Sequence, residues 1–180
     1  MLRAGYDLSE DQGQRADASP YAVDRLITEA RRLAADYRRA TGKPLPGIST
    51  EIALSDAVRL LDLERVDDPA AGYDALGRGD RAGRRIQVKA RAIFGELRSS
   101  HRVGQLRLDR EWDSVVLVLM DADYEPFAIY EADRDRILAA IAEGQSGQRA
   151  RRGALSVARF RHIGRLVWSR EAPAPDGADG

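Results

Sequence analysis

The sequence predicts one α/β domain with a central mixed β-sheet flanked by helices. Two stretches with helical spacing of apolar residues come first, four strand-like runs follow, and another helix comes after them. One run, SVVLVLM at 114–120, is continuously apolar and rich in valine, as strands buried on both faces are. The 180 residues suit a single domain with a substantial core, and no internal repeat suggests a second one.

Composition sets the broad class of protein. A hydrophobic fraction of 43% is too high for general disorder. No apolar run approaches the roughly 20 residues of a membrane span, and the first residues lack the apolar segment of a signal peptide, so we expect a cytoplasmic protein with no membrane partner. The chain has no cysteine, which excludes disulfides, thiolate metal ligands and a cysteine nucleophile.

The predicted domain covers residues 19–170. Residues 1–18 are polar and without periodicity and are predicted to form a disordered arm, and the composition of residues 171–180 predicts a disordered tail. The first helix begins at Ser19-Pro20 and ends at Thr41-Gly42. It is predicted to bury one apolar stripe, formed by Val23, Leu26, Ile27, Ala30, Leu33, Ala34 and Tyr37.

The remaining elements follow from caps, turns and apolar runs. Ser49 or Thr50 caps a second helix with Glu51 in its first turn, and this helix ends in ERVDDPAAG. The runs YDAL and RRIQVKARAIF flank the glycine-rich GRGDRAG, which indicates a hairpin. Beyond strand 114–120, FAIYEA is a strand and DRDRILAAIAEG a helix; ALSVARFRHIGRLVW is a short helix or a strand.

Charge is segregated along a chain whose formal net charge is zero. Residues 81–110 hold nine basic and two acidic side chains, residues 111–143 hold two basic and nine acidic, and residues 144–170 hold seven basic and none acidic. Two basic segments are a footprint suited to a polyanion. Solvated arginine-rich loops and strand faces explain the same pattern, and charge alone does not separate the two interpretations.

Strand alternation places a set of polar side chains together. Along RRIQVKAR, residues Gln87 and Lys89 share the face opposite to the apolar one, and in the predicted hairpin Asp74 lies near them. A hard cation such as Mg²⁺ prefers oxygen ligands, which the Asp74 carboxylate, the Gln87 amide and the Val88 backbone carbonyl offer. Lys89, one of only two lysines, is a compact point charge suited to holding a water or a phosphate.

These residues carry a resemblance to a known family. GYDA, followed by IQVKAR with Gln87 thirteen residues after Asp74, resembles the active-site hairpin of the PD-(D/E)xK, restriction-endonuclease-like, nuclease superfamily. Asp74 matches the family's acid, Gln87-Val88-Lys89 its second half-motif, and Glu51 its helix glutamate. The resemblance covers residues 49–142. Tyr73 replaces the family's proline and Gln87 its second acid, which makes this a Q-x-K variant in which Glu51 provides the missing charge.

The resemblance implies a restriction-endonuclease-like core with an extra N-terminal helix and a Mg²⁺- or Mn²⁺-dependent endonuclease. The implied catalytic residues are Glu51, Asp74, Gln87 and Lys89, with Glu51, Asp74, Gln87 and Val88 holding the metal. The expected substrate is DNA, with RNA also open, and the chain could act as a homodimer. The alternative is a catalytically inactive nuclease-like module that binds nucleic acid or protein. The arginines expected to contact the phosphate backbone are Arg85, Arg91, Arg98, Arg102, Arg107, Arg149, Arg151 and Arg152.

Overall fold

The computed structural model describes residues 20–143 and 155–171. The helices are α1 (Pro20–Thr41), α2 (Ser49–Leu60), α3 (Arg134–Glu143) and α4 (Val157–Ile163). The strands are β1 (Leu63–Arg65), β2 (Ala75–Gly77), β3 (Arg85–Ala92), β4 (Ser114–Met120), β5 (Pro126–Asp133) and β6 (Arg165–Ser169). The predicted arm at 1–18, residues 172–180 of the predicted tail, and Arg149, Arg151 and Arg152 lie outside the described residues.

The six strands form one sheet in the order β1-β2-β3-β4-β5-β6. Strands β3 and β4 pair in parallel, and every other neighbouring pair is antiparallel. The predicted α/β class with a mixed, helix-flanked sheet is therefore confirmed. Within the described residues, no helix combines the length and apolar character needed to cross a membrane.

The sheet separates two hydrophobic cores. Alternate residues of β3 and β4, such as Ile86, Val88 and Val116, pack in the first core with α2. The other face of β4, with Val115 and Leu117, packs in the second core with α3, α4 and the segment between β3 and β4. Side chains of β3 that alternate with Ile86 and Val88 therefore point toward the second layer.

Residues 93–113 connect β3 to β4 without a helix. Parallel neighbours require the chain to return across the sheet, and this connection does so over the second face, where Val103, Leu106 and Trp112 are buried. The return path brings Arg107 back over β3. The connection therefore covers the polar side of that strand.

Two parts of the chain differ from the sequence prediction. Strand β1 was not predicted; it has three residues, of which only Leu63 is buried, so it has no readable alternation. The stretch predicted as a short helix or a strand forms both: α4 ends at Gly164 and β6 follows at once. The predicted β2–β3 hairpin is confirmed.

The prediction that α1 buries one complete apolar stripe is wrong. Ala34 and Ala35 are buried, while four members of the stripe are exposed: Val23 (41%), Leu26 (53%), Leu33 (59%) and Tyr37 (38%). Helix α1 contacts the domain along a narrow strip in which Ile27 packs beside the two alanines, and Arg31 donates two hydrogen bonds of 2.8 and 3.0 Å to the buried Asp56 of α2. The apolar seam beside that strip is left uncovered by the described residues.

Candidate active site

Asp74 lies at the entrance to the hairpin. Its backbone N–H donates to the Ile86 carbonyl at 2.8 Å, and its carboxylate Oδ2 accepts from the Val88 N–H at 2.8 Å. Regular β2 pairing starts one residue later, so the carboxylate satisfies a strand donor that the backbone of β2 does not reach. Two residues earlier, Gly72 has φ +83°, and a Cβ there would clash with Arg110, so the approach to Asp74 requires glycine.

The second oxygen of Asp74 faces a cation. Oδ1 accepts a hydrogen bond from the guanidinium of Arg107, and the two side chains form a salt bridge. The contact joins residues 33 positions apart in the sequence. Arg107 was expected from the sequence to contact phosphate, and no spacing pattern indicates that it pairs with Asp74.

Gln87 is completely buried and both ends of its amide are used. Nε2 donates to the Arg107 carbonyl at 3.3 Å, and Oε1 accepts from the Arg107 N–H at 3.2 Å. The same carbonyl accepts from the Trp112 indole at 2.8 Å. Gln87 therefore anchors the β3–β4 connection, and this anchoring positions the Arg107 side chain over Asp74.

Lys89 is half-buried on the same face of β3 as Gln87. Burial lowers the pKa of Lys89; the neighbouring Asp74 carboxylate opposes this effect and the Arg107 guanidinium adds to it. In the part of the chain that the structure describes, no salt bridge joins Lys89 to a carboxylate. The ammonium is thus close to Asp74 and Arg107 without a dedicated ion-pair partner.

Glu51 is not brought to this group. It lies in the first turn of α2, which packs on the face of the sheet that carries Ile86 and Val88, opposite to Gln87 and Lys89. Its half-exposed carboxylate pairs with Arg65 at 3.0 Å. Among residues 20–143 and 155–171, no cluster of three or more histidine, aspartate or glutamate side chains could hold a metal ion.

The group around β3 is richer in cations than in carboxylates. Arg91 follows Lys89 on the same face of the strand, and the Nε atoms of Arg91 and Arg107 are buried without a hydrogen-bond acceptor among the described residues. An unpaired buried donor is costly, and a phosphate oxygen is the acceptor that a guanidinium binds best. Gln87, Lys89 and Arg91 share this face of β3, and Asp74 and Arg107 lie against it. These five residues are here called the β3 cluster.

The other arginines predicted to bind nucleic acid are placed differently. Arg85 is engaged by Asp113 and Glu111 at 3.1 and 2.7 Å, which holds its pKa above the usual arginine value and neutralises its charge. Arg98 and Arg102 are exposed on the β3–β4 connection. Between them, His101 has a pKa below its usual value because of burial and the charges of Arg91 and Arg98.

No protein-family model matches the chain, and a search of curated proteins finds no relative.

Proposed function

We propose that this protein is a metal-dependent nuclease of the restriction-endonuclease-like type that hydrolyses phosphodiester bonds of DNA. The observation that carries the proposal is the convergence of Asp74, Gln87 and Lys89 on one face at the β2–β3 hairpin. Arg91 and Arg107 add guanidinium donors beside them. A carboxylate, an amide oxygen and an ammonium beside phosphate-binding arginines are the groups that such hydrolysis needs.

The carboxylate and amide oxygen atoms of the site are of the type that a hard divalent cation prefers. Asp74 Oδ1 already accepts a hydrogen bond from the positively charged Arg107 guanidinium, and Gln87 Oε1 accepts one from the Arg107 backbone N–H. Asp74 and Gln87 would hold Mg²⁺ or Mn²⁺, while Glu51 would remain with Arg65 on the other face. When bound, the metal would lower the pKa of a water and offset charge on the attacked phosphate.

Basic side chains of the β3 cluster supply the other groups that the hydrolysis needs. Arg91 and Arg107 bind non-bridging phosphate oxygens and so orient the scissile bond. Lys89 donates a hydrogen bond to the attacked phosphate, where negative charge increases in the transition state. Half-burial removes part of the solvent around the ammonium, which strengthens this interaction.

One observation favours a second candidate, a non-catalytic module that binds the nucleic-acid backbone. The Asp74 carboxylate is paired with Arg107, so a metal has to displace the guanidinium from Oδ1. With Glu51 on the other face, Asp74 is the one carboxylate of the β3 cluster, and its single charge gives weak metal binding. Phosphate binding by Lys89, Arg91 and Arg107 requires no metal.

Cleavage assays separate the two candidates. Supercoiled plasmid, linear duplex, single-stranded DNA and RNA are incubated with the protein and Mg²⁺ or Mn²⁺, with a chelator as control. Metal-dependent cleavage of DNA supports the nuclease. Binding at low salt without cleavage of any substrate supports the non-catalytic module, and the absence of both binding and cleavage contradicts both candidates.

Arg91→Ala is expected to weaken DNA binding about tenfold, because a charged hydrogen bond to phosphate contributes about 1.5 kcal/mol. The number of counterions released on binding, which the salt dependence of the affinity measures, should fall by about one. Fluorescence anisotropy with a labelled duplex across a salt series, with a chelator present, measures both quantities. Arg78→Ala is the matched control, since Arg78 is exposed beyond the opposite end of β3. Equal losses in the two variants would show that Arg91 has no specific role.

Glu51→Gln is expected to leave Mg²⁺ and Mn²⁺ affinity unchanged, because Glu51 lies on the opposite face of the sheet. Asp74→Asn should abolish metal binding, while its remaining carbonyl oxygen can still accept from the Val88 N–H and preserve the hairpin. Isothermal titration calorimetry of wild type and both variants tests this difference. A large loss of affinity in Glu51→Gln would mean that metal binding rearranges α2.

A further inference from the structure

The exposed apolar side chains of α1 follow a heptad pattern. Val23, Leu26, Ala30, Leu33 and Tyr37 are spaced three and four residues apart in alternation, the spacing of the a and d positions of a helix–helix seam. Ala30 is half-buried, and the other four are the exposed members of the stripe described above. These five residues are here called the α1 seam. The seam runs along a helix of 22 residues, about 33 Å long.

Charged residues of alternating sign lie beside the α1 seam on the side of the helix away from the domain, with Glu29 and Asp36 next to the seam and the arginines further round; they are here called the rim. In sequence order they are Arg25, Glu29, Arg32, Asp36 and Arg39. Their contacts within the chain are exposed: Arg25 with Glu29 at 3.7 Å, and Arg39 with Asp36 and with Asp123. Exposed pairs of this kind stabilise a fold weakly, so they can exchange partners at little cost.

The α1 seam and the rim of one copy are complementary to the same surfaces of a second copy when the two α1 helices run antiparallel. If two copies of α1 lie antiparallel about a twofold axis at Ala30, Leu26 of one meets Leu33 of the other, and Val23 meets Tyr37. The alanine at the axis permits close approach of the two helices. A twofold axis places the charged rims of the two helices side by side.

The rim charges match in the same register. Arg25 lies level with Asp36 of the second copy, and Glu29 lies level with Arg32 of the second copy, whose charge offsets the approach of the two Glu29 side chains near the axis. Both sets of pairs recur by symmetry, so one surface supplies apolar and charged complementarity to an identical surface. A contact of this isologous kind closes at two copies.

We propose that the α1 seam is the interface of a homodimer, in which two copies of α1 pack antiparallel about Ala30. This proposal does not depend on the nuclease activity. The β3 cluster lies on the other face of the sheet from the core against which α1 packs, so dimer formation leaves that cluster open to a ligand. The partner is therefore a second copy of this chain.

Sedimentation velocity of the full chain over a concentration series measures association. Wild type is expected to sediment as a dimer. Leu33→Glu is expected to weaken dimerisation at least about thirtyfold, because one buried leucine contributes about 2 kcal/mol and the charge adds a desolvation cost. Leu166→Glu is the matched control: Leu166, on β6, is 49% exposed and outside the seam. A monomer at every concentration, or equal weakening by both variants, overturns the proposal. A seam that is covered by another segment of the same chain would give the first of these results.

Cysteine cross-linking tests the orientation, since the natural chain has no cysteine. Mixed Leu26→Cys and Leu33→Cys proteins are expected to form a disulfide-linked dimer of the two different chains under mild oxidation. Leu26→Cys alone should cross-link no more than Thr28→Cys, an exposed control position on the opposite side of α1. Efficient cross-linking of Leu26→Cys to itself overturns the antiparallel arrangement.

Discussion

Lys89→Ala is expected to reduce metal-dependent DNA cleavage by about 10²- to 10⁴-fold, the range for loss of one positioned charged group in a transition state. The ammonium is half-buried beside Asp74 and Arg107, and Lys89 is the one lysine of the β3 cluster, so no second ammonium takes its place. Initial rates on the best cleaved substrate, with circular dichroism as a check of folding, measure the effect. DNA affinity in chelator should fall far less, because Arg91 and Arg107 remain.

Lys43→Ala provides the matched control. Lys43 is the other lysine of the chain and is exposed in the loop after α1, so its loss should leave the rate unchanged. Lys89→Arg should fail to restore the rate because the guanidinium is larger and planar. Burial lowers the pKa of Lys89, so the charged form is lost at a lower pH than in a free lysine, and wild-type cleavage should decline as pH rises through that pKa. A rate in Lys89→Ala close to that of wild type would remove Lys89 from the mechanism.

The sequence predicts the location of the β3 cluster because two local rules act together. Alternation along β3 places Gln87 and Lys89 on one face, and the short hairpin places Asp74 at the start of the neighbouring strand. Neither rule depends on distant parts of the chain. These three residues therefore lie near one another as expected.

The roles of Glu51 and Gln87 could not be predicted in the same way. Helical spacing shows which residues of α2 are apolar but not on which face of the sheet the helix packs, and α2 carries Glu51 to the face opposite Lys89. Burial of Gln87 depends on an irregular connection that returns twenty residues later in the sequence. Such a connection has no periodic pattern to read.

Helix α1 shows the same limit for a surface. Its heptad spacing correctly identifies an apolar stripe, but periodicity does not indicate whether that stripe meets the chain's own core or a separate surface. The polar contact of Arg31 with Asp56 and two small alanines decide which strip of α1 faces the domain. Four large apolar side chains of the stripe consequently stay exposed in the described structure.

Gln87→Glu is expected to lower the free energy of unfolding by about 2 kcal/mol while raising Mg²⁺ affinity. A carboxylate retains the acceptor for the Arg107 N–H, but it cannot donate to the Arg107 carbonyl, and it faces that carbonyl with a buried negative charge. The same charge beside Asp74 adds a second carboxylate for a hard cation. Urea unfolding with and without Mg²⁺, together with calorimetric titration, measures the two opposite effects.

Gln105→Glu is the matched control, because Gln105 is exposed on the same connection and should change neither quantity. If Gln87→Glu binds Mg²⁺ more tightly and becomes more stable as Mg²⁺ is added, the natural glutamine keeps the cation site weak while it anchors the connection through Arg107. If the variant loses stability without gaining metal affinity, the cluster has no cation site next to Gln87. Lys89, Arg91 and Arg107 then form a phosphate-binding surface whose single carboxylate serves to position Arg107.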